Sequence, residues 1–189
     1  MDRRRSALGA WLGVVALLLA MPPARASEAD AWEALRQGAI VLFRHANAPG
    51  IGDPPQFRLG DCSTQRNLDD AGREQARRIG ETFRMRGIAV GRVLTSRWCR
   101  ARETVALAFP GRVEDEPAFD SFFDARDRRD AASEAARKVI AGWQGAGALV
   151  VATHQVNITA LTSVFPRSGE GVVVRWQNGQ MVFVGRIQP

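Results

Sequence analysis

Only two histidines occur in this 189-residue chain, and each directly follows an apolar run: Ile40-Val41-Leu42-Phe43 leads into Arg44-His45, and Ala148 to Thr153 leads into His154. A neutral imidazole is a nucleophile and a proton carrier near neutral pH. A guanidinium beside it matches the oxygens of a phosphate two at a time. Arg44 adjoins the first histidine, and a third short apolar segment, Val90 to Thr95, is followed at once by Ser96-Arg97-Trp98-Cys99-Arg100, which adds Arg100 to the candidates. One histidine after one strand has an ordinary reading as a loop residue. Both histidines at strand ends, with two arginines, favour an anion-binding catalytic site.

Such residues need a frame that brings them together. Large apolar residues in sequence without polar alternation predict strands buried on both faces, as in a parallel sheet. Between them lie helical patterns. Ala29, Trp32, Ala34 and Leu35 mark one within Ser27 to Gln37, ended by Gly38. A second starts at Leu68 with Asp69 as its N-cap, carries Ala76, Ile79 and Phe83 on its apolar face and is closed by Gly87. Ala101, Val105 and Ala108 mark a third, stopped by Pro110 and Gly111, and further helices are expected over Ala132 to Trp143 and Asn157 to Val164. The alternation predicts an α/β fold: a three-layer sandwich with a mostly parallel central sheet and helices on both faces. Right-handed βαβ connections place the carboxyl ends of its strands on one rim, where ligands bind in such sheets. Val172 to Trp176 and Met181 to Val184 flank Asn178-Gly179, a hairpin signal. Ala48 to Thr64, rich in Pro and Gly, predicts an irregular loop serving as a lid or wall of the site. Arg112 to Asp130 reads as a short strand and an irregular excursion over the site, with a solvated loop anchored by a few rings as the alternative.

Arg3-Arg4-Arg5, the apolar stretch Ala7 to Met21 and Ala24-Arg25-Ala26 have the three parts of a secretory signal, so residues 1–26 are expected to be removed and 27–189 to form one domain. The apolar stretch is short for a bilayer span, and no stable membrane insertion is expected after cleavage. General secretion fits better than twin-arginine export, and the expected location is periplasmic or secreted. Setting aside four arginines and one aspartate in that leader takes the formal charge from +6 to +3. The remaining cations are Arg apart from Lys138 and form no dense run, which speaks against a nucleic-acid partner. Cys62 and Cys99 are the only cysteines. In an oxidising compartment the even count reads as a disulfide, with two buried free thiols as the alternative. Two His and two Cys without paired ligand spacings argue against a zinc site, and no other metal or cofactor is implied.

Four motifs in order carry a resemblance over about residues 39–189. Arg44-His45-Ala46, Leu68-Asp69-Asp70-Ala71-Gly72-Arg73-Glu74-Gln75-Ala76, Ser96 to Thr104 with Arg100 inside it, and His154 at a strand end together resemble the histidine phosphatase superfamily, with its phosphoglycerate-mutase-like fold. Ala46 stands where that family usually has Gly, Gln155 follows the second histidine where one branch has Asp, and Phe119-Asp120-Ser121 stands where the other branch offers a Glu.

The resemblance implies a phosphomonoester hydrolase in which His45 attacks phosphorus to form a phosphohistidine that water then cleaves. Arg44, Arg100 and His154 would bind the phosphoryl oxygens alongside His45. A backbone carbonyl is expected to accept from the second ring nitrogen of His45, keeping the ring neutral and nucleophilic. Asp120 is the first candidate to protonate the leaving oxygen, with Asp124 and Glu170 behind it. The expected partner is a small phosphorylated substrate, an envelope phosphosugar fitting the compartment. Two other readings stand beside this one: a non-catalytic phosphate- or phosphosugar-binding module of the same fold, and a phosphomutase.

Overall fold

The computed structural model describes residues 27–189, and the leader read in residues 1–26 lies outside the described residues. The first elements are α1 (Glu28–Arg36) and β1 (Ile40–Arg44), followed by α2 (Asp70–Met85), β2 (Val90–Thr95), α3 (Cys99–Ala108) and β3 (Val113–Asp115). The chain then runs through α4 (Arg129–Ala141), β4 (Ala148–Thr153), α5 (Gln155–Thr162), β5 (Gly171–Gln177) and β6 (Gln180–Ile187). Six strands form one sheet in the order β3-β2-β4-β1-β5-β6. The pairs β3·β2, β2·β4 and β4·β1 are parallel, and the β5–β6 hairpin closes one side antiparallel.

Successive side chains of a strand point to opposite faces, and both faces here are covered. Val41, Phe43, Val150 and Ala152 pack under Trp32, Leu35, Ile79, Phe83 and Val105 from the first three helices. Ile40, Leu42, Leu149 and Val151 pack on the other side against Ala136, Ile140 and Ile158. The expected three-layer sandwich is the observed architecture. Every residue of β4 is buried, which explains its unbroken apolar sequence.

Helix ends follow local chemistry. Ser27 and Asp30 form a capping box on α1, and Asp69 caps α2 by accepting from the Gly72 N–H. Two helices differ in their bounds from the sequence expectation. Helix α4 begins at Arg129 rather than Ala132, because a 3₁₀ turn over Arg126–Arg128 runs straight into it without a capping side chain. Helix α5 begins at Gln155, directly after His154, and stops at Thr162 because Ser163 adopts a left-handed conformation (φ 61°). The loop after β1 also contains a short 3₁₀ turn, Cys62–Thr64, capped by Asp61.

Cys62 and Cys99 are joined, with Cα atoms 5.7 Å apart and a sequence separation of 37. The bridge fastens the far end of that loop to the first residue of α3. Closing a loop of this length stabilises by about 3 to 4 kcal/mol in the chain-entropy account. Reduction is therefore expected to lower the unfolding free energy by that amount and to weaken phosphate binding, since the loop carries two side chains of the cavity described below. Urea unfolding and phosphate titration with and without reductant measure both effects. Unchanged stability after verified reduction would contradict this account.

Candidate active site

The register of the sheet assembles the site. Arg44 of β1 lies opposite Thr153 of β4, so the next residues on each strand, His45 and His154, emerge side by side. Their ring centroids are 5.5 Å apart. On the other flank of β4, Thr95 lies opposite Ala152, which delivers Ser96 to the same rim. The Ser96 hydroxyl is 2.8 Å from Nε2 of His154. These strand ends open onto a cavity of about 250 Å³ whose lining includes Arg44, His45, Asp53, Arg66, Arg100 and His154.

The motif Ser96 to Thr104 uses its helical spacing to serve three separate places. Ser96 meets His154, Arg100 enters the cavity, and Thr104 Oγ1, one helical turn beyond Arg100, accepts from the Ala46 N–H at 2.9 Å. The motif at the start of α2 clamps the same segment from another side. Asn47 donates its N–H to Gln75 Oε1 at 3.0 Å and its side-chain amide to Asp69 at 2.8 Å. A Cβ at position 72 would lie 2.0 Å from the Asn47 carbonyl oxygen, so only glycine admits this approach. Ala46 is fully buried and is not among the residues with positive φ, which removes any need for glycine there.

His45 Nδ1 lies 2.8 Å from the Ala46 carbonyl oxygen. A carbonyl only accepts, so Nδ1 carries the proton and Nε2 keeps its lone pair. His45 is 3 % exposed and His154 4 %. Burial, reinforced by the Arg100 charge, pushes the His45 pKa down to about 3 and holds His154 well below the ordinary histidine range. Both rings are therefore neutral at physiological pH, which makes His45 a competent nucleophile and gives His154 an N–H to donate rather than a charge.

This neutrality has a testable sign. Between pH 6.5 and about 3 the unfolded chain binds a proton at position 45 that the folded chain refuses, so stability falls with falling pH across that window. His45 costs up to about 1.4 kcal/mol per pH unit there, and His154, shifted in the same direction, acts with the same sign. With only two histidines in the sequence, two imidazole Cε1–H resonances are expected in the proton spectrum of the folded protein, and neither should titrate between about pH 8 and 5.5. A midpoint near 6.5 for either would overturn the assignment.

Sequence reasoning missed two charged residues of the cavity. Asp53, in the loop after β1, accepts from both terminal nitrogens of Arg100 at 2.7 and 3.1 Å, from the Trp98 indole at 3.0 Å and from the Arg66 N–H at 3.0 Å. Burial raises its carboxyl pKa, but the bonds from Arg100 and its charge outweigh this and hold the group below the usual carboxylate range. Arg66 binds the Gly52 and Ala48 carbonyls, and burial beside Arg100 lowers its pKa to about 10, so it stays cationic. The cavity thus has three guanidiniums where the sequence indicated two. Arg44 and Arg100 each keep a buried Nε–H without a protein partner among the described residues.

Asp120 does not join them. Its carboxylate receives a two-point bond from the Arg97 side chain and a further bond from the Arg97 N–H at 2.9 Å, and it is absent from the cavity lining. Its link to the site is indirect, a 3.4 Å contact with the Ser96 hydroxyl. The structure thus holds Asp120, expected as the proton donor, outside the cavity lining and beside Ser96 and Arg97. Glu170 is likewise engaged elsewhere, by Arg186 and the Arg167 N–H. Of the three carboxylates weighed as acids, Asp124 alone lines the cavity.

Solved structures share this fold. The protein histidine phosphatase SixA complexed with tungstate superposes with a TM-score of 0.57 at 17% identity, covering 80% of this chain and 97% of that one. A phosphoglycerate mutase from Thermus thermophilus gives 0.52 at 18% identity over 78% and 98%. Phosphoserine phosphatase from Entamoeba histolytica, in complex with 3-phosphoglyceric acid, gives 0.56 at 11% identity over 80% and 98%. The chain has the phosphoglycerate-mutase-like fold that these proteins share. No protein-family model and no curated protein matches its sequence.

Proposed function

We propose that the protein is an exported phosphatase that hydrolyses a phosphomonoester through a phosphohistidine on His45. The observation that carries this reading is the His45 ring itself: neutral, proton fixed on Nδ1 by the Ala46 carbonyl, and set among Arg44, Arg66 and Arg100. Nε2 attacks phosphorus, the P–O ester bond breaks, and the alcohol leaves with a proton. Water then attacks the phosphohistidine, releasing phosphate and restoring the ring. The guanidiniums bind the phosphoryl oxygens as charge shifts among them in the transition state, and His154, steadied by Ser96, adds a donor. Asp124 takes the part of proton donor to the leaving oxygen. Export is supported by the three-part pattern in residues 1–26 and by the Cys62–Cys99 bridge, which belongs to oxidising compartments. A phosphorylated envelope sugar suits that location as substrate.

The purified domain is expected to hydrolyse 4-nitrophenyl phosphate. Asp124→Asn should slow alkyl phosphates by about 10²-fold and spare the nitrophenyl ester, whose leaving group needs no proton. Equal losses on both esters would remove Asp124 from the acid role. Complete absence of turnover with phosphate still bound would favour the binding module, and phosphoryl transfer to a second hydroxyl in place of water would favour the mutase.

A further inference from the structure

The cavity changes character with depth. His45, His154 and Arg100 are 3 to 4 % exposed and form its floor, where they meet Arg44 and Arg66. Toward solvent the lining turns apolar. Ile51 is 90 % exposed and Phe165 66 % exposed, and both belong to the same cavity, together with Phe123 and Val156. Large apolar side chains this open to water are rare among the described residues, and two of them stand at one mouth.

Their backbones are held in place, so these are not the tips of loose loops. The Phe165 carbonyl accepts from Arg186 Nη2 at 3.1 Å, and the next carbonyl, of Pro166, accepts from Arg44 Nη1 at 3.1 Å. Ile51 is followed by Gly52, whose carbonyl accepts from Arg66 Nε at 2.7 Å, and by Asp53, locked to Arg100. Arginines that line the phosphate floor thus help to fix the apolar residues above it. Arg126 lies over the Phe123 ring at 5.5 Å and holds that wall from outside. Asp124, exposed, lines the mouth beside Phe123.

Resting on the phosphatase reading, we infer that the site selects phosphomonoesters whose leaving alcohol is uncharged and presents an apolar face, ring or chain, to Ile51, Phe123 and Phe165. A leaving group bearing a carboxylate or a second phosphate would have to shed water from its charge against Ile51, Phe123 and Phe165. An uncharged apolar face gains by covering side chains that water otherwise contacts.

Non-hydrolysable phosphonates test the mouth without requiring turnover. Benzylphosphonate, methylphosphonate and phosphonoacetate are titrated into the intact domain by calorimetry. Benzylphosphonate is expected to bind about 10-fold more tightly than methylphosphonate, and phosphonoacetate more weakly than either. In Phe165→Ser and in Ile51→Ser the benzyl-to-methyl affinity ratio should fall toward one. Equal affinity for benzyl- and methylphosphonate, tightest binding of phosphonoacetate, or a ratio indifferent to both substitutions overturns the inference. Failure to hydrolyse 4-nitrophenyl phosphate would instead strike at the phosphatase reading, leaving the phosphonate ranking to stand or fall by itself.

Discussion

His45→Ala is expected to lower phosphatase turnover by at least about four orders of magnitude, because the covalent route disappears with its nucleophile. The fold should survive. His45 follows the end of β1, and its side chain makes one hydrogen bond, to the neighbouring Ala46 carbonyl, worth about 1 kcal/mol. Removal of a ring that must stay neutral in a buried, cationic setting also relieves a pH-dependent cost, so the variant should lose less stability than the wild type on acidification. Hydrolysis of 4-nitrophenyl phosphate measures the first effect and urea unfolding at two pH values the second. In the wild type, an alkaline quench during turnover should leave one phosphoryl group on the peptide containing His45. Activity near the wild-type level in the variant would exclude the phosphohistidine route altogether.

The parts of the site that follow the sheet were legible in the sequence. Strand ends are set by apolar runs, and parallel pairing then makes neighbours of His45 and His154 although most of the domain's chain runs between them. Ser96, Arg100 and Thr104 were legible for a similar reason, since a strand followed at once by a helix orients residues four apart on one face. Asp53 and Arg66 were not. Each sits in irregular chain, where no period relates a side chain's direction to its sequence position, and their pairing depends on how Pro54, Gly52 and the Cys62–Cys99 bridge fold one loop back on α3. The partner of Asp120 was hidden for the complementary reason. Its place in the sequence pointed to an acid, but Arg97, directly after the Ser96 that touches His154, claims its carboxylate. A pattern of residue types marks a position near a site without deciding which charged neighbour a side chain will meet.

The buried pair of Asp53 and Arg100 should produce the largest change in stability. Their side chains are 7 % and 3 % exposed and joined at two points. Arg100→Ala leaves a carboxylate in that place with only the Arg66 N–H and the Trp98 indole to satisfy it. Breaking one partner of such a pair costs about 3 to 5 kcal/mol, and the two surviving bonds put the expected loss toward the lower end. Activity should fall by orders of magnitude as well, since a guanidinium of the phosphate floor is gone. Stability and rate can then be separated. Combining Arg100→Ala with Asp53→Ala removes the stranded charge, so the double variant should be more stable than the sum of the single losses by at least about 1.5 kcal/mol, while its turnover stays as low as that of Arg100→Ala. Urea unfolding of the four proteins in this cycle gives the coupling directly. Additive losses would mean that the pair contributes nothing beyond its separate members. Recovery of turnover in the double variant would mean that Arg100 serves the reaction only by neutralising Asp53, with Arg44 and Arg66 sufficient to carry the phosphoryl charge.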